Sequence, residues 1–175
     1  VRERTGVNVV GIWESGHLNP VRPDAPLPDT SVPVAIGTAA QVDRLNALLG
    51  ESPEPEHEVL VIGGGQVGMS TAAALKKRGI QVRLLDMNPA LREQLEPFCD
   101  EVIIGNAADR SILDKAGINK VNAVALTTND DAQNIHLAVY CRRLRPQLSI
   151  VSRITRERNI EAIYRAGADF VLSYA

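Results

Sequence analysis

An α/β fold, a parallel sheet covered by helices on both faces, is predicted for residues 58–175, and three features of the chain point to it. Short aliphatic runs recur there and alternate with segments of helical length. Aromatic residues make up only 3% of the sequence against 45% hydrophobic residues. The core must then be built of Val, Ile, Leu and Ala, as buried parallel strands and their covering helices are. Lastly, a glycine-rich turn joins the first of these runs to the first helix.

Each element follows from its own pattern. The run 59–62 is a continuous apolar strand, and the helix from Gln66 to Arg78 ends at Gly79, a natural C-cap. Residues 81–86 form the second strand, and Pro89 opens a second helix reaching about Phe98. The third strand spans 101–104, and Asp109 caps a short helix over 111–116. Residues 123–126 are the fourth strand, followed by a helix over 132–144. The fifth strand covers 149–152, with a helix over 157–165 closed by Gly167, and the sixth covers 170–172. The strand order expected for this alternation is 3-2-1-4-5-6.

The front of the chain reads differently. Residues 7–13 form an apolar strand, followed by a polar turn at 14–17 and a proline-rich loop with Pro20, Pro23, Pro26 and Pro28. A strand over 32–36 follows, containing Pro33, and Thr38 caps a helix with Val42, Leu45, Leu48 and Leu49 on one face. This predicts a small α+β lobe over residues 1–50, a polar linker over 51–57, and the larger domain over 58–175. Residues 1–57 hold 4 Lys/Arg against 8 Asp/Glu, and residues 58–175 hold 15 against 13. Neither balance favours nucleic acid or an anionic membrane surface. Arg142, Arg143 and Arg145 cluster where a helix ends, a position its dipole favours for cations. Cys99 and Cys141 have no zinc or redox spacing, His17 and His136 lack ligand-spaced partners, and His57 stands among Glu54, Glu56 and Glu58 in a flexible linker, a poor metal site, so no metal site is expected. No apolar run approaches the roughly 20 residues of a membrane helix.

The chemistry lies at the turn Gly63, Gly64, Gly65, Gln66, Val67, Gly68. It leaves an apolar strand and opens a helix, the context a phosphate loop requires. Gly63 permits the tight turn, Gly65 removes a Cβ where backbone would meet a pyrophosphate, and Gly68 lets the helix pack close to the sheet. The helix N-terminus then presents free N–H groups and a positive dipole to the anion. Asp86 stands 18 residues beyond Gly68, where a carboxylate accepts both hydroxyls of a ribose and repels a 2′-phosphate. This favours NAD(H), with AMP, ADP or ATP as further candidates, over NADP(H). Met87 follows Asp86, while Asn106 and Ala107 follow the third strand. Asn106 is placed to reach an adenine edge, or to cap the strand end. Thr127 and Thr128 follow the fourth strand, with the Thr127 hydroxyl directed at a phosphate or ribose, or at a turn. Arg153 ends the fifth strand, facing ligand, a partner subunit or a local acid.

The Gly63–Gly68 loop, Asp86, residues 105–107 and the segment 166–169 together resemble the RCK/KTN (TrkA-N type) nucleotide-binding domain. Residues 5–12 and 35–38 resemble part of an RCK C-terminal (TrkA-C type) lobe. That order is similar to the middle of tandem-RCK potassium channel subunits, and the loop form at 65–68 is similar to Trk regulators of potassium uptake. The resemblance implies a cytosolic, non-enzymatic regulator at the inner face of the cell membrane. Its partners would be a potassium channel or transporter pore, in the same chain or a separate subunit, and other RCK domains in a dimer or gating ring. It also implies a fragment of a longer subunit, with a pore in the part before residue 1.

Two other readings compete. A dehydrogenase cofactor domain needs added groups for acid–base chemistry. The Tyr-x-x-x-Lys pair is missing, since Tyr140 has Leu144 four residues on, and His136 reads as a structural helix residue. A ligand-free RCK assembly module would have no use for Gly63, Gly65, Gly68 and Asp86 together.

Overall fold

The computed structural model describes residues 1–14, 16–22, 26, 32–49 and 57–173. The chain forms two compact units, Val1–Pro55 and Glu56–Ala175.

In the first unit a short helix α1 (Arg2–Thr5) precedes strands β1 (Asn8–Glu14), β2 (His17–Asn19) and β3 (Val32–Ile36) and helix α2 (Ala39–Leu49). The strands form an antiparallel sheet of order β2-β1-β3. Neither α1 nor β2 was expected from the sequence. β2 has no apolar run and is formed by pairing, with Leu18 opposite Trp13. Thr38 caps α2 as expected, and Gln41 completes the exchange: its Oε1 accepts the Thr38 N–H at 2.7 Å, while Thr38 Oγ1 accepts the Gln41 N–H at 3.4 Å. The apolar face of α2 is only partly covered, with Leu45 and Leu48 half-buried but Val42 41% and Leu49 73% exposed. The linker expected at 51–57 lies outside the described residues apart from His57.

The second unit has the predicted alternation. Its strands are β4 (Glu58–Ile62), β5 (Gln81–Asp86), β6 (Glu101–Ile104), β7 (Ala123–Leu126), β8 (Ser149–Ile154) and β9 (Phe170–Ser173). They form one parallel sheet of order β6-β5-β4-β7-β8-β9, which is the expected 3-2-1-4-5-6. The helices are α3 (Gln66–Lys76), α4 (Arg92–Leu95), α5 (Arg110–Lys115), α6 (Asp131–Leu144) and α7 (Ile160–Arg165). The helix expected over 89–98 is broken into 3-10 turns at Pro89–Leu91 and Glu96–Phe98 around a single α turn. Pro97 explains the second break, because its ring lacks an N–H and crowds the carbonyl four residues back. The helix expected over 157–165 likewise opens with a 3-10 turn at Glu157–Asn159.

Alternation along the strands feeds two cores, one on each sheet face. Leu60 and Ile62 of β4 point into a large cluster with Leu126, Leu137, Ile150 and Ile163, while Val61 joins Ala72, Val82, Leu84 and Leu95 on the other side. Both faces are dry, so β4 is hydrophobic at every position from Val59 to Ile62 rather than at alternate ones. Cys141 is fully buried, and burial pushes its thiol up to about 12, which keeps it protonated and inert.

Parallel registers align the strand ends, pairing Ile62 with Leu85 and Leu126, Asp86 with Ile104, and Leu126 with Ser152. The loops after β4, β5, β6, β7 and β8 therefore emerge together at the carboxyl edge. At the amino edge Arg83 of β5 bridges Glu58 of β4 and Glu101 of β6. The arginines near the end of α6 do more than meet a helix dipole. Arg142 donates to the carbonyls of Gly167 and Leu148 and pairs with Asp169 at 2.8 Å, tying α6 to β9, and Arg145 reaches the carbonyls of Ile118 and Val121.

Asp131, 7% exposed, opens α6 and holds the turn after β8. Its carboxylate accepts the Thr155 N–H at 2.8 Å, the Thr155 hydroxyl at 2.9 Å, the Arg156 N–H at 3.1 Å and the Asn159 amide at 2.8 Å. Burial by itself raises this carboxyl, but those hydrogen bonds outweigh it and hold the group below its ordinary value. A lowered folded value stabilises the fold above the unfolded aspartate value of about 3.9, and the contribution disappears as pH falls through the folded value. Urea unfolding between pH 7 and pH 3 should then show Asp131→Asn destabilised by about 1–3 kcal/mol at neutral pH, with a shallower loss below pH 4 than the parent chain.

Candidate functional site

A cleft of about 530 Å³ opens at the carboxyl edge, lined by the loops that follow β4, β5, β6 and β7 and by Arg153 of β8. Its floor is the turn between β4 and α3, at the point where the strand order reverses, since β5 lies on one side of β4 and β7 on the other.

Local geometry explains each glycine of that turn. Gly63 has φ +108°, a conformation L side chains rarely adopt, and a Cβ there would also lie 2.8 Å from the Thr128 nitrogen. At Gly68 a Cβ would lie 1.8 Å from the Gly63 carbonyl oxygen, so α3 can approach the strand only because that atom is missing. A Cβ on Gly65 meets nothing within 4 Å, because this residue faces the open cleft. Gly65 is also the N-cap of α3, with φ −70°, and no side chain caps the helix. The first-turn N–H groups and the positive end of the dipole are therefore presented to the cleft.

Ten of the sequence-selected residues line the cleft: Gly63, Gly65, Gln66, Val67, Asp86, Met87, Asn106, Ala107, Thr127 and Thr128. Gly64 and Gly68 lie beneath the turn instead. The Gly64 N–H donates to Asp86 Oδ2 at 2.6 Å, and a Cβ on Gly64 would run into Leu95. Asp86 uses its other oxygen to accept the Asn88 N–H at 2.8 Å. One carboxylate thus ties the glycine turn to the end of β5, and each of its oxygens retains a further lone pair.

Two side chains serve the loops as much as the cleft. Thr127 is 7% exposed, and its hydroxyl lies 3.0 Å from the Ile62 carbonyl and 2.8 Å from that of Gly63. It anchors the turn rather than reaching outward to a phosphate. Asn106 Oδ1 accepts the Ala108 N–H at 2.9 Å, which shapes the turn after β6, and the exposed side chain still borders the cleft.

Sequence reasoning missed Asn88, Leu91 and Gln133 among the lining residues. Their only signal was position, just beyond a strand end or in the first turn of a helix. It missed Asn134 entirely. This fully buried amide donates to the carbonyls of Thr128 at 3.1 Å and Arg153 at 3.0 Å, and accepts the Thr128 hydroxyl at 2.7 Å. It locks the loop after β7 to the end of β8. Asp130 accepts the N–H groups of Ala132 and Gln133, so the start of α6 is already capped, unlike that of α3. Asp109 caps α5 in the same way, accepting the Ser111 N–H at 2.8 Å. Among the described residues no group of three or more His, Cys, Asp or Glu is placed to hold a metal ion.

A doubly wound sheet, a glycine turn at its switch point, an uncapped helix start and an acid ending the neighbouring strand define a Rossmann-type domain with a cleft over the glycine turn. The chain belongs to the TrkA-N domain family, whose model matches residues 59–174. A crystal structure of the GsuK RCK domain is similar to it, with a TM-score of 0.71, 36% identity, and coverage of 98% of this chain and 37% of that one. The GsuK channel bound to NAD is similar at a TM-score of 0.70 and 36% identity, over 98% of this chain and 30% of that one. Potassium channel protein 1 of Methanocaldococcus jannaschii is 27% identical over 128 residues, which is 72% of this chain and 38% of that protein. The chain spans between 19% and 43% of the length of the first curated relatives it matches.

The glycines separate packing from access. Gly68→Ala should destabilise the chain by about 3 kcal/mol or more, the upper end of overpacking costs. Gly65→Ala, with ordinary φ and open space, should cost no more than about 1 kcal/mol, the worth of an altered cap. Chemical denaturation of both variants beside the parent chain checks the contrast.

Proposed function

We propose that this chain is a cytosolic regulatory segment of a potassium channel or potassium transporter, which binds NAD(H) or an adenine nucleotide and couples that binding to gating. The observation that carries the reading is the uncapped start of α3 over Gly65 with Asp86 beside it. It joins a phosphate subsite to an acceptor for ribose hydroxyls. Family membership, the likeness to an NAD-bound channel and the likeness to an archaeal potassium channel protein support the same reading. Asp86, Met87, Asn106 and Ala107 would receive the adenosine, the Gly63–Gly68 turn the phosphates, and Thr127 and Thr128 would hold the turn and the far wall. Residues 1–50 would be part of an RCK C-terminal lobe, which the 98% coverage by the GsuK RCK domain supports. Assembly with other such domains would transmit the signal to a pore at the inner face of the membrane, in the same chain or a separate subunit. No residue is assigned a catalytic role. Among the described residues no helix is long and apolar enough to cross a membrane, so the pore would lie outside them.

Regulation of this kind requires a ligand that binds one arrangement of the assembly better than another, with a coupling of roughly 1–3 kcal/mol. Calorimetric titration of the chain should show NADH bound at least about tenfold more tightly than NADPH, because Asp86 repels a 2′-phosphate. Asp86→Asn should narrow that ratio, and Gly65→Ala should weaken NADH by about tenfold or more while the fold survives. A folded chain that binds none of NAD+, NADH, AMP, ADP and ATP would overturn the nucleotide reading.

A further inference from the structure

Four arginines of the described residues are half-buried: Arg83, Arg142, Arg145 and Arg153. The first three have partners, Arg83 with two glutamates, Arg142 with Asp169 and backbone carbonyls, and Arg145 with two carbonyls. Arg153 is different. Its Nε is buried with no acceptor, it joins no ion pair among the described residues, and its side chain lines the cleft. Its backbone is held in place, since the Arg153 carbonyl accepts from the fully buried Asn134 amide at 3.0 Å. A guanidinium with a buried, unpaired Nε at the wall of a cleft calls for an anion.

The cleft places that anion. Among the described residues, Asp86 and Arg153 are the only charged side chains that line it. Asp86 ends β5 and Arg153 is the last residue but one of β8; these strands flank β4 and β7, so three strand spacings, about 14 Å, separate the two strand ends. The phosphate turn lies between them. An adenosine ribose at Asp86 directs its first phosphate to the turn, and a continuing phosphate chain runs toward Arg153.

We infer that Arg153 is a specificity-determining residue whose guanidinium takes the second phosphate of the bound ligand, so that the site distinguishes diphosphate-bearing nucleotides from monophosphates. This rests on the nucleotide reading above and adds to it a named residue and a ligand class, the pyrophosphate group shared by NAD(H) and ADP. AMP ends before Arg153 and has nothing to offer it.

The test is titration of the parent chain and of Arg153→Gln with NADH, ADP and AMP. Loss of a charge-assisted hydrogen bond should weaken NADH and ADP by about tenfold or more and leave AMP within about twofold. If both diphosphate ligands are weakened and only one recovers in Arg153→Lys, that ligand is held at a point charge and the other by the guanidinium fork. Unchanged NADH and ADP affinities, or an equal loss for all three ligands, would overturn the assignment. A parent chain that binds none of them would overturn the nucleotide reading itself. Should Arg153→Gln not fold, Arg153→Lys alone decides, since it keeps stem and charge but lacks the fork, and it must still weaken NADH or ADP relative to AMP.

Discussion

The close approach of α3 to β4 at the Gly63–Gly68 contact is the constraint on which the rest of the larger unit depends. With a Cβ position only 1.8 Å from the Gly63 oxygen, any side chain at residue 68 would push the helix away from the strand. Displacement would carry the helix start, with its free N–H groups, off the cleft. Thr127 secures the same contact from the neighbouring strand, because its hydroxyl lies beside the carbonyls of both Ile62 and Gly63. Asp86 secures it from the other side through the Gly64 N–H. The turn is therefore held from β5 and from β7 at once, which is what the switch point of a doubly wound sheet makes possible.

Behind this turn Asn134, Asp131 and Arg142 each make several hydrogen bonds. Asn134 joins the loop after β7 to β8, and Asp131 gathers four donors from the turn after β8. Arg142 closes the far side of the sheet by linking α6 to β9. Such groups carry a high penalty when unpaired in a dry interior, so a satisfied network defines one loop arrangement. The amino edge is closed differently, by Arg83 between two glutamates across three adjacent strands. Ionic closure at one edge and an open, polar-lined cleft at the other give the sheet one closed end and one open end.

How much could be read from the sequence varied with how local the cause was. The aliphatic runs identified all six strands of the larger unit, because strands buried on both faces need no alternation to be recognised. Thr38 and Asp109 were legible as caps because a cap acts within three residues. Pro97 is local too, yet the helix over 89–98 was expected to run through it, and the chain instead turns to 3-10 there. β2 was invisible because its three residues are strand only by pairing with β1. Within the cleft, the residue types that a phosphate loop and a ribose acceptor require stood at recognisable spacings. Gln133, Asn88 and Leu91 carried no such pattern, and the inward-facing Asn134 carried none at all.

The sequence by itself determined the order of strands and helices, the glycine turn and the acid beside it, because these depend on side-chain size, backbone freedom and spacing along the chain. Only the tertiary structure decided what the polar residues do. It turned the Thr127 hydroxyl back to the turn, took Gly64 and Gly68 out of the cleft wall, and used Arg142 and Arg145 as ties between elements. It also left Arg153 facing the cleft with a buried nitrogen unpaired. The physical reason is that a hydrogen bond is assigned by what a donor or acceptor meets in space, and residues 62 and 127, or 134 and 153, meet only after the sheet has aligned its strand ends.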